Sequence, residues 1–508
     1  RAVWLNADKL KQTALILKEL CELEGKALPV VPDIFKGKLR PYQLIALQWL
    51  QILSAAGMGG ILADDMGLGK TIQLIAHICK EKVAGRLEGE PFLVICPTSV
   101  VPNWLSEVRN FAPSLSIHVH SGPARSRDKG AFEGVDIVLS SYALLLRDQA
   151  LFTAVSWSGV ALDEAQYIKN PLTKVAKSAR DLTARYRFCL TGTPVENHLG
   201  ELWSLFHFLM PGILGTRRWF NANIRMPVEK FRDYRMLKVL SMRIRPLVLR
   251  RTKIEVLPEL PEKTEIIKFV DLGPEQLDLY ESVRLSCEAE IRAQIESKGI
   301  AAAQIVIIKS LLQLRQVCCD PRIVRVEAAR STKESAKLTA LMEMVEELIG
   351  EGRRMLIFSQ FTRMLDIIAD ELDSRSVSYV ELRGATIDRV TPVRRFQDGE
   401  VPVFLISLKA GGVGLNLTSA DIVIHYDLWW NPAVESQATD RAYRIGQEKP
   451  VFVYKLVAYG TIEQKLMVLQ AKKRELAQGI YDDRGNADTH FSEGDLEHLL
   501  APIGREDE

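Results

Sequence analysis

A lysine and a threonine follow two closely spaced glycines in the segment 63–71, which reads Ala-Asp-Asp-Met-Gly-Leu-Gly-Lys-Thr. Glycines in such a loop let backbone N–H groups point at phosphate oxygens, and Lys70 can reach the terminal phosphates of a nucleotide. The Thr71 hydroxyl can ligate Mg²⁺ at the start of the following helix. The strict pattern has glycine where Asp64 stands. The segment therefore predicts a nucleotide phosphate site with one departure from the usual pattern.

Two adjacent carboxylates, Asp163 and Glu164, follow the apolar run 159–162. A strand that ends in two carboxylates suits metal-assisted phosphate hydrolysis, with Asp163 holding Mg²⁺ and Glu164 activating the attacking water. The alternative is that the pair only caps the next helix. The phosphate segment upstream favours the catalytic interpretation.

Arg441 and Arg444 lie three residues apart in the segment 437–444, Gln-Ala-Thr-Asp-Arg-Ala-Tyr-Arg. We expect them on one face of a helix, from which they could act as arginine fingers on the γ-phosphate. A surface helix with solvated arginines is the alternative. The segment 190–194 is interpreted as a strand that ends in a tight polar turn.

The elements that must position these residues follow an α/β pattern. Between 60 and 195, short β-branched runs alternate with helical patterns, and the same alternation resumes from 355 to 454. Such alternation predicts two lobes, each a parallel sheet wrapped by helices, with ligands at the carboxyl ends of the strands. The stretch from about 200 to 340 is helical in pattern with almost no strand signal, and we interpret it as helical insertions and a linker.

These patterns predict five segments. They are an N-terminal helix and connector at 1–36, a first lobe at 37–205, helical insertions and linker at 206–335, a second lobe at 336–475 and a tail at 476–508. Because the sequence begins with Arg1 and not methionine, we expect it to be part of a longer chain.

Composition narrows the class of protein. The 508 residues carry 66 Lys and Arg against 64 Asp and Glu, a net charge of +2 that neither requires nor excludes nucleic acid. No run approaches the roughly 20 apolar residues of a membrane helix, so no membrane association and a cytoplasmic or nuclear location are expected. The seven cysteines lack paired C-x-x-C spacing and predict reduced, mostly buried thiols without a zinc site.

Nine motif blocks, taken in order, resemble the superfamily-two helicase-type ATPases and specifically their Swi/Snf branch of DNA translocases. The blocks begin with Leu-Arg-Pro-Tyr-Gln at 39–43 and include the segments 64–71, 96–104, 163–166, 190–197, 249–253, 357–361, 407–416 and 437–447. The resemblance extends from about residue 36 to 470. Asp64 in place of the first glycine is usual in that branch.

The resemblance implies two RecA-like lobes that bind ATP and Mg²⁺ between them. Gln43 would read the adenine edge, and Gly414 and Gln437 of the second lobe would approach the nucleotide. The phosphates and the metal would be held by the loop and its helix, that is by Asp65, Met66, Gly67, Leu68, Gly69, Lys70 and Thr71, together with Asp163.

The same resemblance implies double-stranded DNA as the partner. Loop residues from both lobes would line a strand-tracking groove without reading bases, namely Thr98, Asn103, Ser141, Gln360, Ser407 and Lys409. The stretch 225–253, which has ten basic and two acidic residues and includes Arg250 and Arg251, is expected to grip the backbone. A solvated helical face is the alternative. Trp429 and Trp430 could stack on bases, but we interpret them as packed residues.

The function that the resemblance implies is ATP-dependent translocation on duplex DNA without strand separation, which displaces or remodels DNA-bound proteins. A strand-separating DNA or RNA helicase and a nucleotide-gated scaffold with little turnover are the alternatives. The compact spacing resembles bacterial members of the HepA type, and we expect a cytoplasmic, DNA-associated monomer whose protein cargo the sequence does not identify.

Overall fold

The computed structural model describes residue 20 and residues 28–468, except for 88, 123–124, 193–197, 232, 299, 326–328, 330–333, 387 and 412–414. The contacts divide the described chain into a first unit that ends at Pro258 and a second unit that begins at Glu259. The predicted N-terminal helix and the C-terminal tail lie almost wholly outside the described residues.

In the described part of the first unit, seven parallel strands pair in the order β3-β4-β2-β6-β8-β1-β9. Their bounds are β1 Gly60–Leu62, β2 Phe92–Cys96, β3 Ile117–Val119, β4 Ile137–Ser141, β6 Gly159–Asp163, β8 Arg187–Leu190 and β9 Val248–Leu249, and the short strands β5 Ser156–Trp157 and β7 Thr183–Ala184 pair separately. Apolar runs buried on both faces form the central strands β1, β2 and β6 because helices cover the sheet.

The helices of the first unit connect these strands and then continue beyond them. Their bounds are α1 Pro41–Ala55, α2 Lys70–Val83, α3 Val101–Phe111, α4 Tyr142–Arg147, α5 Gln149–Thr153, α6 Lys174–Arg180, α7 Leu199–Leu209, α8 Arg217–Phe220, α9 Met226–Phe231, α10 Tyr234–Ile244 and α11 Lys253–Val256. Proline at the start of α1 and of α3 suits the first turn of a helix, where a backbone N–H has no partner within the helix.

In the described part of the second unit, six parallel strands pair in the order β10-β15-β14-β11-β13-β12. Their bounds are β10 Lys263–Val270, β11 Met355–Ser359, β12 Tyr379–Leu382, β13 Val403–Ser407, β14 Ile422–His425 and β15 Val451–Ala458. The helices are α12 Pro274–Lys298, α13 Ile300–Cys319, α14 Ala336–Gly350, α15 Thr362–Ser374, α16 Val390–Gln397, α17 Leu408–Gly411 and α18 Pro432–Thr439. The predicted fold class, two RecA-like α/β lobes with helical insertions, is confirmed.

The stretch between the two predicted lobes contains more strand than its pattern indicated. β9 pairs with β1 in the first sheet, and the eight-residue β10 is an edge strand of the second sheet. The division between the units, at 258/259, falls inside the segment 206–335 that was expected to hold helices and a linker. Side chains of β10 alternate between exposed and half-buried positions, so its apolar residues lack the continuous run that marked the central strands.

Two further predictions from composition concern membranes and thiols. Within the part of the chain that the structure describes, every helix is too short or too polar to cross a membrane. The six described cysteines are free and buried, as predicted, and burial raises the pKa of the Cys79 thiol to about 12.

Candidate active site

The phosphate loop connects β1 to α2 through two glycines in the left-handed region. Gly67 has φ 85° and Gly69 has φ 76°, which residues with a Cβ rarely adopt. A Cβ at Gly69 would also lie 2.7 Å from Nε2 of Gln43. The loop therefore needs glycine at 69 for its backbone conformation and for its close approach to α1.

Gln43 supports this loop from α1. Its Nε2 donates to the Leu68 carbonyl at 3.2 Å, its Oε1 accepts from the Arg40 backbone N–H at 2.9 Å, and the side chain is buried. The Tyr42 hydroxyl donates to the same carbonyl at 3.0 Å. The structure thus shows Gln43 as a brace for the loop, and its contact with adenine stays a prediction.

Lys70 and Thr71 occupy the first turn of α2. The Lys70 ammonium donates to the backbone carbonyls of Asp64 at 2.6 Å and Asp65 at 3.2 Å. These bonds hold the charge at the mouth of the loop, where phosphate oxygens would replace carbonyl oxygens as its partners. The positive end of the helix dipole adds to the attraction for an anion at this place.

Asp64 and Arg251 form a buried ion pair beneath the loop. Asp64 is fully buried, and its two carboxylate oxygens accept from Nε of Arg251 at 2.9 Å and from Nη2. Arg251 also donates to Gln73 Oε1 at 3.2 Å and to the Tyr42 carbonyl. The acid that replaces the first glycine therefore already holds the Arg251 guanidinium, and the contact of Arg251 with DNA stays a prediction.

Asp163 ends β6 in a buried position at the same edge of the sheet. Its Oδ2 accepts from the indole N–H of Trp104 at 2.8 Å, and its Oδ1 accepts from the Glu164 backbone N–H at 3.0 Å. Burial raises the pKa of this carboxyl, while the Trp104 hydrogen bond and the nearby positive charge of Lys70 oppose the rise. The structure therefore brings the predicted metal ligand within electrostatic reach of the predicted phosphate lysine.

Glu164 adopts a left-handed backbone conformation, with φ 52° and ψ 54°. Such a conformation costs a residue with a Cβ about 1 kcal/mol or more and is found most often at functional sites. Its Oε2 accepts from Gln166 Nε2 at 2.8 Å, and Gln166 Oε1 accepts from the Thr191 hydroxyl at 3.2 Å. In the described residues, Glu164 makes no side-chain hydrogen bond that caps the following 3₁₀ turn, Ala165–Ile168, which disfavours the capping alternative.

Met66 packs toward the loop that follows β8. A Cβ at Gly192 would lie 3.3 Å from the Met66 side chain, so a glycine after β8 lets the two loops approach. The rest of the predicted turn, 193–197, lies outside the described residues. The loops after β1, β6 and β8 thus meet at the carboxyl ends of their strands.

The donor set suits Mg²⁺ held jointly with nucleotide phosphates. Among the described residues there is no cluster of three or more His, Cys, Asp or Glu side chains that would hold a metal alone. Mg²⁺ instead favours one or two protein oxygens, water and phosphate oxygens, and Asp163 and Thr71 supply a carboxylate and a hydroxyl. A cation would also relieve the cost of burying the Asp163 charge.

Arg441 and Arg444 of the second unit lie in turns beyond the end of α18, at Thr439, and not on a helical face as expected. Gln447 anchors this turn segment, because its amide donates to the carbonyls of Thr418, Ala420 and Ala442. Arg441 is 5% exposed, and Arg444 donates to the Leu415 carbonyl at 3.2 Å.

Two nucleotide predictions of the second unit remain, Gln437 and Gly414. Gln437 lies half-buried on α18. Gly414 lies outside the described residues. Neither contact with the nucleotide is tested.

The residues predicted to contact DNA fall into two groups. Thr98 is exposed in the turn before α3, Asn103 is exposed in the first turn of α3, and Gln360 and Arg250 are half-buried. Ser141 and Ser407 are buried, and their hydroxyls accept from the backbone N–H groups of Leu144 and Ala410, as in helix capping. Their contact with DNA stays a prediction. The Lys409 side chain lies outside the described residues.

The basic stretch 225–253 presents several charges to solvent. Five of its basic side chains are exposed on or next to α9 and α10, namely Lys230, Arg235, Lys238, Arg243 and Arg245. Trp429 and Trp430 are partly buried against the apolar clusters of the second unit, which confirms that they pack.

Sequence reasoning missed Trp104 as a partner of Asp163, and Arg315 as a partner of Asp427. The tryptophan stands inside the quoted motif at 96–104, yet nothing in its local pattern indicates that its ring reaches β6. Arg315 lies in an apolar helix and is fully buried, so its charge was the available signal, since buried arginines are rare without a partner.

Comparison with known proteins agrees with these motifs. The family model described as the SNF2-related domain matches residues 42–323, and the model of the helicase conserved C-terminal domain matches residues 336–446. The chain is 41% identical over 506 residues to YwqA of Bacillus subtilis, which is named as a candidate ATP-dependent helicase/translocase, with 98% of the chain and 54% of YwqA covered. It is 34% identical to the ISWI chromatin-remodeling complex ATPase ISW1 of Saccharomyces cerevisiae, with 88% and 41% covered.

Among solved structures, the SWI2/SNF2 ATPase core of Sulfolobus solfataricus in complex with dsDNA is 39% identical, with 90% of this chain and 95% of that chain covered and a TM-score of 0.47. The chain spans about half the length, or less, of the curated relatives it matches. Because the family model covers more than half of its residues, the chain belongs to the SNF2-related family.

Proposed function

We propose that this chain is the motor of an ATP-dependent double-stranded DNA translocase that displaces or remodels DNA-bound proteins without separating strands. The observation that carries the proposal is the convergence of Lys70, Asp163 and Glu164 at one edge of the first sheet. Family membership supports the choice of ATP as the substrate, and the dsDNA complex of a 39% identical core supports duplex DNA as the partner.

In the proposed reaction, the backbone N–H groups of the loop 65–69 and the Lys70 ammonium bind the β- and γ-phosphates. Thr71 and Asp163 hold Mg²⁺, which when bound neutralises charge on the phosphate oxygens. Glu164 orients the attacking water and accepts its proton. Arg441 and Arg444 of the second unit would stabilise charge on the transferred phosphoryl group, which makes hydrolysis depend on both lobes.

The proposed cycle converts this dependence into movement. Binding of ATP favours a state in which the arginines contribute to the site, and hydrolysis removes that preference. We propose that Thr98, Asn103 and the exposed basic side chains on α9 and α10 hold the phosphate backbone of DNA. Alternation between the two states would then move the chain along DNA. Contacts of this kind carry no sequence information.

The experiment that tests the function measures ATP hydrolysis without nucleic acid and with duplex DNA, single-stranded DNA or RNA. We expect duplex DNA to stimulate turnover most. The same preparation should displace the third strand of a triplex and should leave a forked duplex paired. Efficient unwinding without triplex displacement would favour the helicase alternative, and negligible turnover with every nucleic acid would favour the scaffold.

For the full-length protein, we propose a DNA-associated cytoplasmic location in a bacterium and a monomeric motor, with a DNA-bound protein as cargo. The five predicted segments stand as a proposal for the domain organisation of this chain. The similarity to a Bacillus subtilis relative over 98% of the chain supports the bacterial assignment.

A further inference from the structure

Trp104 lies fully buried on α3, the helix that follows β2. Its indole Nε1 donates to Oδ2 of Asp163 at 2.8 Å. The two residues are 59 positions apart in the chain, so the bond joins two separate strand-end segments. An indole N–H is a donor only, and it therefore stabilises the ionised carboxylate in one orientation.

The other oxygen of Asp163 is engaged by its own chain. Oδ1 accepts from the Glu164 backbone N–H at 3.0 Å. Together the two bonds determine the rotation of the carboxylate about its Cβ–Cγ bond. Each oxygen keeps a further lone pair, since a carboxylate offers about four acceptor directions.

We propose that Trp104 is a positioning residue, which fixes the orientation of the Asp163 carboxylate so that its remaining lone pairs would be available to hold Mg²⁺. The inference rests on the proposed nucleotide site and adds a residue that acts through Asp163 without touching substrate. Partners of metal ligands that hold them in this way typically contribute 10- to 100-fold to metal affinity.

The chain contains a matched control for the test. Trp157 is also buried in the first unit, and its indole N–H donates to the Phe152 carbonyl at 3.0 Å, at a place where no predicted site residue lies. Trp104→Phe and Trp157→Phe each remove one indole N–H and the same side-chain volume. A purely structural contribution would affect the two variants alike.

The readout is binding of a non-hydrolysable ATP analogue, measured by calorimetry over a series of Mg²⁺ concentrations. For Trp104→Phe we expect the Mg²⁺ concentration that gives half-maximal enhancement of binding to rise about 10-fold or more. Binding without Mg²⁺ should change little, and Trp157→Phe should match the unaltered chain. Thermal unfolding of both variants is recorded in parallel.

Trp104→His provides the rescue. The imidazole Nε2 can occupy the place of the indole Nε1, because both atoms lie at the same position of a five-membered ring. The histidine variant should therefore recover part of the Mg²⁺ dependence that the phenylalanine variant loses. If Trp104→Phe does not fold, the Mg²⁺ dependence of analogue binding is measured on Trp104→His instead.

Equal Mg²⁺ dependence in Trp104→Phe and the unaltered chain would overturn the inference, as would an equal shift in Trp157→Phe. So would binding of the analogue that does not respond to Mg²⁺ in the unaltered chain. Because the measurement contains no DNA, failure of DNA stimulation would contradict the proposed motor function and leave this result unaffected.

Discussion

Asp163 in the first unit and Asp427 in the second are both buried acids at the end of a central parallel strand, yet their partners differ. Asp163 faces the glycine loop and the Lys70 ammonium. Asp427 follows β14, and its Oδ1 accepts from the Ser359 hydroxyl at 2.6 Å and from the Gln360 backbone N–H at 3.2 Å.

Arg315 completes the environment of Asp427. The guanidinium is fully buried, lies 3.8 Å from the Asp427 carboxylate and stands over the Trp430 ring at 5.3 Å. In both units burial raises the pKa of the strand-end acid. The comparison teaches that the same fold places one such acid beside a glycine loop and a lysine, and uses the other to hold neighbouring loops together.

The largest expected effect tests what the second unit contributes. Arg444→Ala should lower ATP turnover by about 10³-fold or more, because an arginine finger contributes about 10³ to 10⁵ in rate. Binding of an ATP analogue should persist, since the phosphate loop lies in the first unit. Steady-state turnover and calorimetric binding check this, with Arg395→Ala as an exposed arginine control. Turnover within tenfold of the unaltered chain would contradict the assignment.

Glu164→Gln tests the chemistry of the first unit. The substitution keeps the shape of the side chain and removes its ability to accept a proton, so turnover should fall by about 10²- to 10⁴-fold. Nucleotide binding should be retained. Glu133→Gln, at an exposed position of the same unit, serves as the control. Preserved turnover would show that another group activates the water.

Arg251→Ala and Arg315→Ala compare the buried ion pairs of the two units. Each removes a cation and leaves a fully buried aspartate, which costs about 3 to 5 kcal/mol in the free energy of unfolding. The cost is measured by urea unfolding at fixed pH.

The salt dependence of DNA binding then distinguishes the buried Arg251 from an exposed basic residue. Arg251→Ala should also weaken nucleotide binding, whereas the salt dependence of DNA binding should keep its slope. Lys238→Ala, on the exposed face of α10, should instead reduce that slope by about one phosphate contact. A reduced slope in Arg251→Ala would instead support the prediction that Arg251 contacts DNA.

The smallest expected effect is on the pH dependence of the free energy of unfolding. Burial lowers the pKa of His77 in the first unit and of His425 in the second to about 4. Because the unfolded chain takes up the proton near pH 6.5, the free energy of unfolding is unaffected above that pH and falls between pH 6.5 and 4. At pH 5.5 each histidine should contribute a loss of about 1 kcal/mol.

Substitution of each histidine shows which unit loses free energy of unfolding as the pH falls. His77→Gln should flatten the pH dependence of unfolding for the first unit between pH 6.5 and 5, and His425→Gln should do so for the second. Urea unfolding at several pH values measures both. An unchanged slope in either variant would show that the buried imidazole is not the group responsible.

Some features were open to prediction and others were not. The central strands were predictable because residues buried on both faces leave continuous apolar runs. The capping of helices by Ser141 and Ser407 had an available signal, since a serine directly before a helical pattern is a common N-cap. The end of α18 at Thr439 was missed because the segment 437–444 has the spacing of a helix, whereas the turns after Thr439 are held by contacts distant in sequence, such as those of Gln447 with Thr418 and Ala420.

The sequence by itself determined the phosphate loop, the acids that end β6 and the two-sheet class, because these depend on residues close together in the chain. Only the tertiary structure decided that Arg251 pairs with Asp64, 187 residues away, and that Trp104 reaches Asp163. The physical reason is that a buried charge or donor takes whichever partner packing brings within about 3 Å, and chain spacing does not specify that partner.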